Sequence, residues 1–219
     1  MDEHTRPEFD RSALLTIDMQ RDFLSESPHG IPGTTKVLPA VRRLVRAFRD
    51  AGSPIVHVVR LYLPDASNVD VCRRSLVAAG AEIVRPHSTG SLLADGLAPE
   101  GAPPLAADAL LAGTVQAIGP HEHVLYKPRW GAFYRTQLEQ HLLARGVTTL
   151  VVTGANYPNC PRAAIIGASE RDFRVVAVDD ALSQWTDNAT AELAGIGVVP
   201  LSTVDVIASL VAGTRTSSC

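Results

Sequence analysis

Six short runs rich in apolar and β-branched residues, at positions 13–18, 54–62, 123–127, 149–154, 174–179 and 197–201, recur along the 219-residue chain with helical patterns between them. A strand that is apolar at nearly every position, rather than at every second one, has both faces buried, as in a parallel sheet covered by helices on two sides. The runs therefore predict an α/β fold with a six-stranded parallel sheet, whose βα alternation favours right-handed crossovers.

The stretches between the runs carry the helical period. Val37, Val41, Leu44, Val45 and Phe48 recur at that spacing, with Arg42, Arg43, Arg46 and Arg49 on other faces and Gly52 as a stop. Residues 132–145, ending before Gly146, and residues 161–172, following Cys160, read as helices packed on the sheet, as do 187–194 and 203–211. Residues 85–122 break the rhythm with Pro86, Pro99, Pro103, Pro104 and Pro120 among short apolar stretches. This excursion reads as a surface connection, or as a lid or oligomer contact. The length suits one domain over residues 1–219, with 214–219 as a loose tail.

Charge and composition exclude whole classes of function. A formal net charge of −3, with Lys and Arg scattered rather than striped, gives no footprint for nucleic acid. No apolar run is long enough to span a bilayer, and the polar, partly acidic N-terminus lacks the basic start and apolar stretch of a secretory signal. The expectation is a cytoplasmic protein with no nucleic-acid or membrane partner. Its three cysteines, Cys72, Cys160 and Cys219, are too few and too widely spaced for a disulfide framework or a CxxC metal site.

Asp18, Lys127 and Cys160 each stand at, or a few residues past, the carboxyl end of a predicted strand. That edge is where open parallel sheets bind ligands, so an acid, an ammonium and a thiol are expected to meet there. Around Cys160 the sequence reads strand, tight turn and helix start, and Pro161 suits the first helical position, which makes Cys160 the expected N-cap. A sulfur facing free N–H groups and the helix dipole is stabilised as thiolate. Lowering a thiol pKa of about 8.5 by roughly two units corresponds to about 2.7 kcal/mol, within reach of a helix end and a nearby Lys. The alternative for Cys160 is a small core residue; Cys72 reads as structural, and Cys219 falls on the tail.

Four blocks, in order, carry a resemblance: Leu14-Leu-Thr-Ile-Asp18-Met-Gln20-Arg-Asp-Phe23, Tyr126-Lys127-Pro-Arg-Trp-Gly-Ala-Phe133, Gly154-Ala-Asn-Tyr-Pro-Asn-Cys160 and Arg174-Val-Val-Ala-Val-Asp-Asp-Ala181. Together they make the chain resemble the isochorismatase-like cysteine hydrolase family, which includes nicotinamidases, N-carbamoylsarcosine amidohydrolases and streptothricin hydrolase. The resemblance implies a Rossmann-like three-layer sandwich and a catalytic triad of Asp18, Lys127 and Cys160. In that scheme Asp18 accepts the thiol proton, Lys127 holds the thiolate, and sulfur attacks a carbonyl carbon to cleave a C–N bond through a thioester-type intermediate. It further implies a cis peptide at Ala155–Asn156, an oxyanion hole of the backbone N–H groups of Asn156 and Cys160, and homo-oligomerisation to a dimer or tetramer.

This chain departs from the family pattern in carrying Tyr157 and Pro161 beside the nucleophile, so the substrate cannot be copied from a relative. The stretch after the second run, around Arg60 and Tyr62, has no histidine, and the reading is no catalytic metal and no cofactor. His121 and His123, without a third ligand, read as an exposed pair. Phe23, Tyr62, Trp130 and Tyr157 follow the same strand ends and either line the pocket of a small-molecule substrate or pack as core. Arg60 and Arg129 are candidate partners of a substrate carboxylate or members of surface ion pairs, and Gln20 and Asp22 order the loop after the first strand. Two other functions use the same scaffold: vinyl-ether hydrolysis, whose enzymes typically lack the cysteine, and a non-enzymatic binder or thiol redox sensor.

Overall fold

The structure, a computed structural model, describes residues 2–216. In chain order the strands and helices are β1 (Ser12–Ile17), α1 (Thr34–Asp50), β2 (Ile55–Val59), α2 (Val71–Ala78), α3 (Ala107–Leu111), β3 (Gln116–Gly119), β4 (Glu122–Tyr126), α4 (Leu138–Leu143), β5 (Thr149–Gly154), α5 (Cys160–Ser169), β6 (Arg174–Leu182), α6 (Asp187–Ala194), β7 (Val199–Leu201) and α7 (Thr203–Thr216).

The strands form one sheet in the order β3-β4-β2-β1-β5-β6-β7, parallel except where β3 runs antiparallel to β4. Apolar residues at every position serve both faces. In β1, Ala13, Leu15 and Ile17 point into the core beneath α4, α5 and α6, while Leu14 faces the opposite core with Val41 and Leu44 of α1 and Val206 of α7. β5 and β6 divide in the same way, with Leu150, Val152 and Ala177 on one side and Val151, Val176 and Val178 on the other. The sheet is thus sandwiched between helices, as buried parallel strands require.

Three expectations are corrected. The sheet has seven strands, not six: the seventh, β3, is a partly exposed edge strand whose Gln116 and Gly119 carry none of the apolar, β-branched signal of a buried run. The helix expected over 132–145 is reduced to Leu138–Leu143, because Arg135 takes a left-handed backbone (φ 52°) that no α-helix accommodates. The tail expected at 214–219 is helical through Thr216, while 217–219, with Cys219, lie outside the described residues.

The 85–122 excursion packs on the sheet edge. Ala107, Leu110 and Ile118 join Val59, Leu61 and Val124 in a small satellite core. No helix among the described residues is long and apolar enough to cross a membrane.

Candidate active site

The chain leaves β1 towards β2 and β4 on one side and later returns on the other as β5, so the carboxyl ends of these strands flank the point where strand order reverses. Crevices at such a point are where open α/β sheets bind ligands. Asp18 follows β1 with a left-handed backbone (φ 54°), a conformation that Asp tolerates better than most residues, and its N–H donates to the Val58 carbonyl at 2.9 Å. Lys127 follows β4, its N–H donating to the Val59 carbonyl at 3.0 Å. The two residues are therefore fixed to either side of β2. Lys127 Nζ donates to Asp18 Oδ2 at 2.9 Å, and both side chains are buried.

Asp18 Oδ1 is buried and has no hydrogen-bond partner among the described residues. Asp18 lines a cavity of about 170 Å³ together with Cys160, Asn156 and Asn159. Of the aromatic candidates, Phe23, Tyr62 and Trp130 line the same cavity; Tyr157 does not. Its ring turns into the core and meets Trp185 edge-on at 4.7 Å, because Tyr157 N–H is drawn to the Ser183 carbonyl on the β6 side.

Cys160 opens α5, with Asn159 as the N-cap, one residue earlier than the sequence suggested. Its thiol is no resting thiolate. Burial pushes it up to about 12, the Asp18 carboxylate adds to the rise, and Lys127 opposes it without prevailing. A buried anion beside another anion is the costlier state, whatever the helix end supplies.

The turn between β5 and α5 is braced on both sides: Ala155 N–H donates to Ile17 at 2.9 Å and Tyr157 N–H to Ser183 at 2.8 Å. The Asn156 side chain bonds Gln184 Oε1 at 2.9 Å and accepts from Asn159 Nδ2 at 3.2 Å. The Ala155–Asn156 peptide is trans, against the expected cis bond. Trans is the ordinary state of a non-proline peptide, cheaper by about 3 kcal/mol, and the flanking hydrogen bonds are made with it. The backbone N–H groups of Asn156 and Cys160 have no acceptor among the described residues.

Arg60 and Arg129 are already engaged. Arg60 forms a buried ion pair with Asp70 and also donates to Tyr62 Oη at 3.2 Å, while Arg129 donates to the carbonyls of Asn68 and Pro128. Burial pushes the Tyr62 hydroxyl up to about 12, so it too stays protonated, donating to Asp70 at 3.2 Å. Gln20 clamps the loop after β1 to the end of β2, accepting from Arg60 N–H at 2.8 Å and donating to the Arg60 carbonyl at 2.9 Å. Asp22 accepts from Val84 N–H at 2.6 Å.

Sequence reasoning missed Asp70 and Arg73 and read Cys72 as structural, whereas all three border the cavity, from α2 and the residue before it, with Cys72 exposed. An Asp ahead of a short helix is an N-cap signal, but Val71–Ala78 lacks a clear apolar face and gave no helix to cap. His123 lies on β4 with its ring edge-on to His141 at 4.5 Å, and no group of three or more His, Cys, Asp or Glu among the described residues is placed to hold a metal.

Comparison with known proteins shows the family of the chain. The fold is similar to that of an isochorismatase family protein from Desulfovibrio vulgaris, with a TM-score of 0.77, 29% identity, and coverage of 92% of this chain and 98% of that one. The sequence is 29% identical over 199 residues to a protein of Arabidopsis thaliana described as a probable inactive nicotinamidase, spanning 89% of this chain and 90% of that one. It is 26% identical over 190 residues to a ureidoacrylate amidohydrolase of Methylobacterium radiotolerans, spanning 78% of this chain and 66% of that one. The model of the isochorismatase domain matches residues 12–205, from β1 into α7 and around the entire cavity, and the chain belongs to that family.

Proposed function

We propose that this protein is a cysteine-dependent hydrolase that cleaves a C–N bond of a small amide, ureide or lactam through a thioester-type intermediate. The observation that carries the reading is the division of labour within one carboxylate. Asp18 Oδ2 is fixed by Lys127, and Oδ1 is buried with no hydrogen-bond partner assigned among the described residues, in a residue that shares its cavity with Cys160. A base with one oxygen anchored and one free is oriented to take a proton.

The chemistry follows from the raised thiol pKa. Cys160 rests neutral, so its proton passes to Asp18 as sulfur attacks the carbonyl carbon, and no free buried thiolate has to persist. Negative charge then develops on the carbonyl oxygen, where the unused N–H groups of Asn156 and Cys160 serve as donors; such a donor is worth about 3 kcal/mol of barrier. When the C–N bond breaks, Asp18 returns the proton to the leaving nitrogen. Asp18 next deprotonates a water that attacks the thioester, and the acid leaves as the thiol reforms. Lys127 holds Asp18 in place and offsets the charge passing through sulfur.

The relative named as an amidohydrolase supports this reaction class. Vinyl-ether hydrolysis has no use for the sulfur. A redox sensor favours a thiol of low pKa, the reverse of Cys160.

The test is ammonia release from a panel of primary amides, ureides and lactams, comparing the natural protein with Cys160→Ala. A loss of about 10³-fold or more is expected with the circular dichroism spectrum intact. Undiminished turnover in the variant would end the proposal.

A further inference from the structure

The charged groups around the cavity pair off, with one exception. Lys127 is paired with Asp18, and Arg60 with Asp70. Arg73, from the first turn of α2, lines the same cavity. No carboxylate among the described residues lies within ion-pair reach of it, and its guanidinium has no hydrogen-bond acceptor. The group lies against the Phe23 ring, 5.8 Å from the centroid. Arg60 and Arg73 line the cavity with Asp18 and Asp70, and the charge of Asp18 is already met by Lys127 from outside the lining, so Arg73 is the cation at the cavity wall left without an ion-pair partner among the described residues.

A half-buried guanidinium without acceptors has lost part of its hydration without replacing it. An anion in the cavity restores the balance. The planar fork of Arg matches a carboxylate with two parallel N–H···O bonds, and contact with the aromatic face of Phe23 leaves the donor edge of the guanidinium free. Cys160 borders the same space of about 170 Å³, so an anion held by Arg73 and a carbonyl offered to the sulfur belong to one small molecule.

We infer that Arg73 binds a carboxylate of the substrate, so that the preferred substrates are amides or ureides that also carry a carboxylic acid. The word substrate rests on the hydrolase reading; the anion site itself rests on the cavity's charges. Arg60 and Arg129, the carboxylate partners suggested by sequence, are occupied elsewhere, and Arg73 takes that role.

The test compares iodoacetate with its neutral counterpart iodoacetamide on the full chain. Both reagents alkylate the same thiolate, with sulfur displacing iodide, so the thiolate fraction cancels from the ratio of their rates and the cavity's preference for an anion remains. Peptide mass spectrometry separates Cys160 from Cys72. The iodoacetate-to-iodoacetamide ratio at Cys160 is expected to fall at least fivefold in Arg73→Gln and to be partly kept in Arg73→Lys. It is expected to be unchanged in Arg74→Gln, which removes a neighbouring charge that does not line the cavity. An unchanged ratio in Arg73→Gln, or an equal fall in Arg74→Gln, overturns the assignment. A ratio that responds to Arg73 in a protein that hydrolyses no amide supports the anion site and ends the hydrolase reading instead.

Discussion

Lys127 Nζ and Asp18 Oδ2 meet 2.9 Å apart across the carboxyl end of β2, with the lysine side chain wholly buried and the aspartate 4% exposed. Removing one member strands a buried charge, which costs about 3–5 kcal/mol, whereas removing both charges costs much less. Lys127→Met is expected to lose stability of that size in urea unfolding. Adding Asp18→Asn, which keeps a residue tolerant of the left-handed backbone, should recover about 2 kcal/mol. Equal stabilities for the single and double variants would show that the two residues are not coupled as an ion pair.

The pH dependence of the thiol has a definite sign. Burial first and the Asp18 carboxylate second push Cys160 up to about 12. Alkylation by iodoacetamide at Cys160 should be slow at neutral pH and climb with pH through 10 without a plateau. In Asp18→Asn, one cause of the rise is gone and alkylation at pH 8 should be faster. Because the folded pKa exceeds the unfolded value of about 8.5, the neutral thiol's contribution to stability is complete below 8.5 and is lost as pH rises towards 12. Cys160→Ala should therefore show a flatter alkaline limb in thermal unfolding. A plateau near 8.5 in the natural protein would contradict the assignment.

What the sequence disclosed, and what it withheld, divides along physical lines. The two-sided burial of β1, β5 and β6 was written in runs such as Leu150, Val151 and Val152, because every position of a central parallel strand must be apolar. β3 was silent because an edge strand with one open face needs no such composition. The meeting of Asp18 with Lys127 was legible because strand ends in a parallel sheet share one edge. The placement of Tyr157 away from the cavity depended on which carbonyl captures its N–H, and residue type carries no trace of that.

The thiol was misjudged for a related reason. A helix start beside Pro161 is local and readable, whereas burial arises only from the folded surroundings, and the facing carboxylate comes from Asp18, just past β1 and more than a hundred residues away. Arg73 was missed because its role is defined by subtraction. Only after Lys127 and Arg60 are seen paired does Arg73 stand out as the cation left over.

Away from the cavity, a second buried network ties the sheet to α1. Thr16 Oγ1 lies 2.7 Å from His57 Nδ1, His57 Nε2 lies 2.8 Å from Glu122 Oε1, and Arg49 donates to both Glu122 oxygens, at 2.9 and 2.7 Å. Burial alone would raise the Glu122 pKa, but the bonds from His57 and Arg49 prevail and hold it below the ordinary carboxylate value. A depressed carboxylate pKa adds stability that is complete above the unfolded value of about 4.3 and is lost as pH falls through the folded one. Glu122→Gln should thus lower Tm at pH 7, with the gap to the natural protein narrowing below pH 4.3. A gap constant from pH 7 to pH 3 would mean that Glu122 acts through packing and not through charge.

The last relationship links a backbone shape to the oxyanion donors. Gly154 ends β5 at φ +118°, and a Cβ placed there would stand 2.2 Å from the Ile17 carbonyl oxygen, in the strand beside it. Neither partner is a movable side chain, so β1 and β5 would have to separate where Asp18 and Asn156 leave them. Gly146 also has a positive φ, +67°, but a Cβ there meets nothing within 4 Å. Gly146→Ala should therefore cost only the conformational penalty, about 1–2 kcal/mol. Gly154→Ala adds a backbone clash to that penalty and should cost about 3 kcal/mol or more, with activity falling further than the folded fraction because the Asn156 N–H is displaced. Equal losses of stability in the two variants, measured by urea unfolding, would show that the close approach of β1 and β5 does not constrain this turn.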